Sequence, residues 1–174
     1  WSSCYCRGHI PAMALLQIPW LPPAVLFAVS GAVLLTAFLF EHVGGLAPCE
    51  LCWYQRYAYF AALAIAFAAL IFCRRSGVAP PLLASAGLTF LVGAGIAGYQ
   101  AGVELSWFES SCATPISGNT IEEMRASLLA APVVRCDEVA WSMWGISMAG
   151  WNGLLSLALG LAAMYAAFMT ERAR

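Results

Sequence analysis

Four long apolar runs, set apart by clusters of Pro, Gly and charge, decide what this chain can become. They fall at about residues 24–43, 53–72, 81–99 and 144–169 of 174. Each approaches the roughly 20 residues that a helix rising 1.5 Å per residue needs to cross about 30 Å of hydrocarbon. Lipid offers no water to satisfy backbone N–H and C=O groups, so apolar runs of this length must be helices. Pro22-Pro23 and Pro80-Pro81 read as stops ahead of the first and third runs, and Gly44-Gly45 as the stop after the first. A chain that is 62% hydrophobic and only 10% charged lies outside the range of soluble domains. A net charge of −1 with no basic surplus argues against nucleic acid as a partner.

The fold class is therefore an all-α membrane protein, a single four-helix transmembrane bundle over residues 13–174. Residues 1–12 differ in character from the rest of the chain and read as a tag, linker or disordered extension. Cys4, Cys6 and His9 in that stretch are too few and too crowded for a metal site. Short links make the first three spans antiparallel neighbours. Small residues in the third (Ala84, Ala86, Gly87, Gly93, Ala94, Gly95, Ala97, Gly98) would let helix backbones approach closely.

Orientation follows from the arginines, which supply all of the basic residues. Arg74, Arg75, Arg172 and Arg174 fall at one end of the bundle. Most acids (Glu104, Glu109, Glu122, Glu123, Asp137, Glu138) fall at the other, with Arg125 and Arg135. Positive-inside counting puts both termini in the cytoplasm and the loops of the second end outside. The one long loop, about residues 100–143, holds Thr120-Ile121-Glu122-Glu123, a capping box with Thr120 as N-cap. Ile121, Met124, Leu128 and Leu129 recur after it at helical spacing. A short amphipathic helix is expected there, lying on the membrane or packed on the bundle mouth. Trp53, Tyr54, Trp107, Trp141 and Trp144 fit an interfacial aromatic belt.

The chemistry concentrates in Pro48-Cys49-Glu50-Leu51-Cys52-Trp53-Tyr54-Gln55-Arg56, where a span meets water. Two thiols two residues apart close a small, readily reduced disulfide. Pro48 is expected in the first helical turn, with the helix terminus favouring a thiolate at Cys49. Arg56 lies one turn beyond Cys52 on the same face. A cation at the edge of hydrocarbon is costly enough to imply use. Cys112 and Cys136 lie in the outer loop, on the side where disulfides persist. One tight pair and one spread pair within reach of each other suit thiol–disulfide exchange. Two static staples fit less well, because a Cys-x-x-Cys ring restrains little chain entropy. A zinc site would want a second tight knuckle, so no metal is expected. Cys73, beside Arg74-Arg75, reads as a free, small apolar residue.

The motif resembles the Pro-Cys-x-x-Cys-x-x-Gln-Arg signature of the DsbB family, in its shorter proteobacterial form. The four spans, the Cys112/Cys136 pair and Val-Val-Arg-Cys-Asp-Glu-Val-Ala-Trp at 133–141 extend the match. The resemblance implies a quinone-linked oxidase of the bacterial inner membrane, serving a periplasmic DsbA-like dithiol, with ubiquinone or menaquinone as acceptor. Carried over, Cys112 takes the partner's thiolate, Cys136 passes electrons to Cys49, and Cys52 faces the quinone with Arg56 stabilising its charge. His42 and Gln100 are further candidates for contact with the quinone. Where such members often read Tyr-His-x-Gly-Val-Glu, this chain has Tyr99-Gln100-Ala101-Gly102-Val103-Glu104. Gln donates hydrogen bonds but carries no protons at neutral pH. Asn152, polar inside the fourth span, is expected to bond to a neighbouring helix. Two alternatives stand beside this reading. One is a vitamin-K-epoxide-reductase-like thiol oxidoreductase, which places its Cys-x-x-Cys near the last helices; the other is a non-enzymatic membrane protein with structural disulfides.

Overall fold

The computed structural model describes residues 18–75, 77–109, 120–123 and 136–172. Among them are helices α1 (Leu21–His42), α2 (Glu50–Ile71), α3 (Ala79–Glu104) and α4 (Met148–Arg172), with a small hairpin of β1 (Ser142–Met143) and β2 (Ile146–Ser147) leading into α4. All four helices are long and apolar enough to cross a membrane. The fold is an all-α membrane bundle.

The helix starts depart from the expected stops in an instructive way. Pro22-Pro23 and Pro80-Pro81 lie inside the first turns of α1 and α3, not ahead of them. The first N–H groups of a helix have no intrahelical partner, so proline there sacrifices nothing. Helix α3 also runs five residues past the expected end at 99, to Glu104. Gly44-Gly45 does end α1. The N–H groups of Val43 and Gly44 both reach the Leu39 carbonyl, at 2.9 and 3.1 Å. A Cβ on Gly44 would stand 2.5 Å from the Phe40 oxygen, and Gly45 adopts φ +68°.

Ring pairs Phe27–Phe67 and Phe38–Phe60 fix α1 and α2 antiparallel. Tyr59 with Phe90, edge to face at 5.7 Å, and Gln55 with Gln100 do the same for α2 and α3. Helices α3 and α4 make the closest contact. A Cβ on Gly87 would lie 3.1 Å from the Gly160 oxygen, and one on Gly160 would lie 3.1 Å from the Gly87 oxygen. Two backbones can approach so far only where side chains are missing. Gly93 and Ala97 likewise face Ala58 and Gly153, whereas Gly95 and Gly98 have open space around their Cβ positions.

The packing is the reverse of a soluble core. The buried cluster is built largely of small residues, including Ala62, Ala66, Ala86, Ala163, Ala166 and Ala167, around Leu26, Leu34, Leu83, Tyr59 and Phe90. Large apolar side chains such as Leu35, Phe67, Leu88 and Leu161 point outward, where lipid rather than water is their solvent. Buried hydroxyls find partners: Ser30 donates to the Leu26 carbonyl at 2.7 Å, and Tyr59 and Ser156 share a bond at 2.9 Å. Arg75 and Arg172 lie over Phe72 and Phe168 at one end of the bundle.

Candidate functional site at the cysteine end

The opposite end is organised by the start of α2. Cys49 is its N-cap, with extended backbone (φ −75°, ψ 171°), and Glu50 is the first helical residue. Pro48 therefore stands one residue ahead of the cap and not in the first turn. The Cys49 Sγ accepts the Cys52 N–H at 3.2 Å, so a sulfur does here what a Ser or Asp oxygen does at ordinary caps. The two sulfurs lie 2.7 Å apart as free thiols. The expected pull of the helix terminus toward a thiolate at Cys49 acts through the Cys52 N–H, and it is opposed. The proton held against the Cys52 sulfur, and then burial, push the Cys49 thiol far above its usual range, outweighing the backbone N–H.

Cys136 is 1% exposed and shares one buried cluster with Cys49 and Leu51, against which Cys52 packs. It is disulfide-bonded, while Cys49, Cys52 and Cys73 are free. Cys112 lies outside the described residues, as do residues 1–12 and the rest of the expected loop helix, beyond 123. Of the capping box, the Glu123 N–H bonds to the Thr120 hydroxyl at 3.3 Å.

Arg56 is buried, and its guanidinium turns toward α1. It pairs with Glu41 and donates to the Ala37 carbonyl at 3.3 Å. The rings of Phe38 and Trp53 each lie 4.9 Å from it. Glu41 was missed in the sequence, although an acid next to the last residue of a span, faced by an arginine, was a signal for it. His42 lies farther out, donating to the Phe38 carbonyl at 3.1 Å and tilted against the Phe38 ring.

On the other flank Gln100 reaches the thiols. Its Nε2 lies 3.6 Å from both the Cys49 and Cys52 sulfurs. Its Oε1 accepts from Gln55 Nε2 at 2.6 Å, and Gln55 Oε1 accepts from Asn152 Nδ2. Asn152 does bond to a neighbouring helix, as expected, and the bond extends a chain that ends on sulfur. Gln55 carried no sequence signal beyond its place in the motif.

The rest of the Tyr99–Glu104 stretch shapes the rim. Phe108 folds back to stack on Tyr99 at 5.6 Å, and a Cβ on Gly102 would strike its ring at 2.5 Å. The tight hairpin was not foreseen, since the fourth span was expected from Trp144. Trp144 and Gly145 both have positive φ (54° and 78°), the pattern of a two-residue type I′ turn. Met148 then opens α4, and the Ser147 Oγ accepts the Gly150 N–H at 3.1 Å. Trp107, Trp141, Trp144 and Tyr54 are exposed at this end, as a belt requires, while Trp53 is half-buried against Arg56.

A sequence model described as "Disulfide bond formation protein DsbB" matches residues 21–166. The chain is 33% identical over 153 residues to "Disulfide bond formation protein B" of Marinobacter nauticus, covering 80% of this chain and 88% of that one. It is 34% identical over 154 residues to the protein of the same name in Xylella fastidiosa strain Temecula1, covering 82% and 86%. With "Disulfide bond formation protein B 2" of Pseudomonas syringae it shares 30% identity over 142 residues, covering 76% and 78%. No solved structure matches.

Proposed function

The chain belongs to the DsbB family and is a membrane protein of disulfide bond formation; on that footing we propose that it reoxidises a periplasmic DsbA-like dithiol at the expense of a membrane quinone. The overall reaction is partner dithiol plus quinone to partner disulfide plus quinol, two electrons and two protons passing from one to the other. The single observation that carries it is the burial of Cys136 against Cys49, because exchange between two cysteine pairs needs their sulfurs in one place.

In this reading Cys112 is the bonded partner of Cys136. The reduced partner's thiolate attacks Cys112, forming an S–S bond between the proteins and releasing Cys136 as a thiolate. Cys136 then attacks Cys49 of a closed Cys49–Cys52 bridge, and Cys52 leaves with the electron pair. The partner's second thiol resolves the mixed disulfide and departs oxidised. The disulfide between Cys136 and Cys49 is reopened by attack of Cys112, which leaves Cys49 and Cys52 reduced, the state in which both are free.

The donor set at this end suits a flat apolar molecule with carbonyl oxygens. Gln100 offers N–H groups beside the sulfurs, the Arg56 guanidinium has five N–H donors, and Phe38 and Trp53 offer faces. When bound, a quinone supplies the two-electron acceptor that no ordinary protein disulfide provides. The protein's part is to keep Cys52 at the hydrocarbon edge, hold a cation one turn away and exclude water. The cysteine end then faces the periplasm, and both termini the cytoplasm of a bacterial inner membrane.

The test is turnover. Reduced DsbA-like protein and ubiquinone are mixed with the full chain and quinone absorbance is followed. Wild type should turn over, and Cys49→Ser and Cys112→Ser should not. Cys136→Ser should trap the partner on Cys112. Turnover that survives loss of Cys49, or a trapped complex through another cysteine, would overturn the scheme.

A further inference from the structure

The amide chain Asn152–Gln55–Gln100 crosses three helices and has a direction. Asn152 on α4 donates to Gln55 on α2; Gln55 donates to Gln100 on α3; Gln100 donates toward sulfur. An isolated Gln can present either its carbonyl or its N–H groups to a neighbour, since the two ends are nearly the same shape. Here the choice is made upstream. With Gln55 Nε2 committed to it at 2.6 Å, the Gln100 Oε1 is only a distant acceptor for the Cys52 thiol, at 4.0 Å, whereas the Nε2 lies 3.6 Å from both sulfurs. The Gln55 amide is in turn held by the donor from Asn152 at its own oxygen. Gln55 and Gln100 are buried, so neither can exchange these bonds for water.

We infer that Asn152 and Gln55 are positioning residues that fix the Gln100 amide with its N–H groups on the Cys49–Cys52 pair, and so tilt that pair toward its reduced form. The inference rests on the reading of Cys49 and Cys52 as a redox couple. A fixed N–H donor favours a sulfur that carries negative charge and offers nothing comparable to the bridged pair. Stabilising the reduced state makes a dithiol couple more oxidising. Charge is supplied on the other flank by Arg56 with Glu41, so the amide chain and the ion pair act on the couple separately.

The test is a redox titration of the purified full chain in detergent against glutathione. The Cys49–Cys52 bridge takes up two electrons and two protons from two glutathione thiols, giving two thiols and one glutathione disulfide. Mass spectrometry after differential alkylation reads this pair alone. Gln100→Met should shift the equilibrium constant about tenfold toward the bridge, equivalent to about 30 mV. Gln55→Met should shift it threefold or more in the same direction, as should Asn152→Leu. The deciding result is the double variant. If Gln55 acts through Gln100, Gln55→Met with Gln100→Met should shift no further than Gln100→Met alone.

Shifts that multiply, or single variants within error of wild type, would overturn the inference while leaving the redox couple intact. A wild-type pair that forms no bridge at any glutathione ratio would instead sink the reading beneath it. Should Gln55→Met fail to fold, Asn152→Leu enters the same cycle from the other end of the chain.

Discussion

Two polar arrangements flank the Cys49–Cys52 pair, and they are made of opposite materials. Between α1 and α2 lies an ion pair, Glu41 with Arg56. Across α2, α3 and α4 runs a chain of neutral amides, Asn152, Gln55 and Gln100. Both start from α2, at consecutive residues. A helix turns by about 100° per residue, so Gln55 and Arg56 face different neighbours despite being adjacent. The charged arrangement sits where α1, packed mainly on α2 alone, leaves one flank of the bundle thin. The neutral one crosses the thick side. An amide with its bonds made can be buried at little cost, whereas a desolvated ion needs a partner at all times. The difference teaches that this end of the bundle separates its charge from its alignment.

The comparison breaks most visibly at Arg56. Arg56→Met leaves Glu41 partly buried without a cation and should cost about 3–5 kcal/mol, read by denaturation in detergent. Quinone reduction should fall at least tenfold, with a raised quinone KM, while exchange with the partner protein changes little. Combining it with Glu41→Leu should recover most of the stability and none of the turnover, because an apolar pair replaces an ionic one at little cost. If turnover returns as well, the cation has no role beyond holding Glu41. On the amide side Gln55→Met should cost only about 1 kcal/mol, the net worth of ordinary hydrogen bonds, while shifting the Cys49–Cys52 redox equilibrium. A further effect is confined to alkaline pH. Because the folded state holds the Cys49 proton far above the thiol's usual range, the contribution of this thiol to stability is full below about pH 8.5 and declines as the unfolded chain ionises above it. Melting of the reduced protein between pH 8 and 10.5 should show that decline, and Cys49→Ser should remove most of it.

Much of the scaffold could be read in advance. The four spans are spelled out by apolar length, and the Gly87 contact by the density of small residues in one helix. Helix ends were less legible, since proline inside a first turn and proline ahead of one look alike in sequence. The hairpin at 142–147 was hidden for a different reason. Its turn requires positive φ at Trp144, where a bulky residue is a poor signal for the conformation it adopts. At the site the cysteines and Arg56 were marked by motif, but their neighbours were not. Glu41 and Asn152 lie 15 and 97 residues from their partners Arg56 and Gln55, and only packing brings them together. Polarity at Gln100 was visible; which end of its amide faces sulfur depends on residues on two other helices.

The burial of Cys136 carries a last consequence. A sulfur 1% exposed, among Cys49, Leu51 and Cys52, offers bulk thiolates no line of approach. Thiols in the surrounding water therefore meet the partly exposed Cys52 more readily than the covered sulfur of Cys136. In the proposed relay that cover acts as insulation around one joint of a wire, leaving contact to be made at the barer terminals.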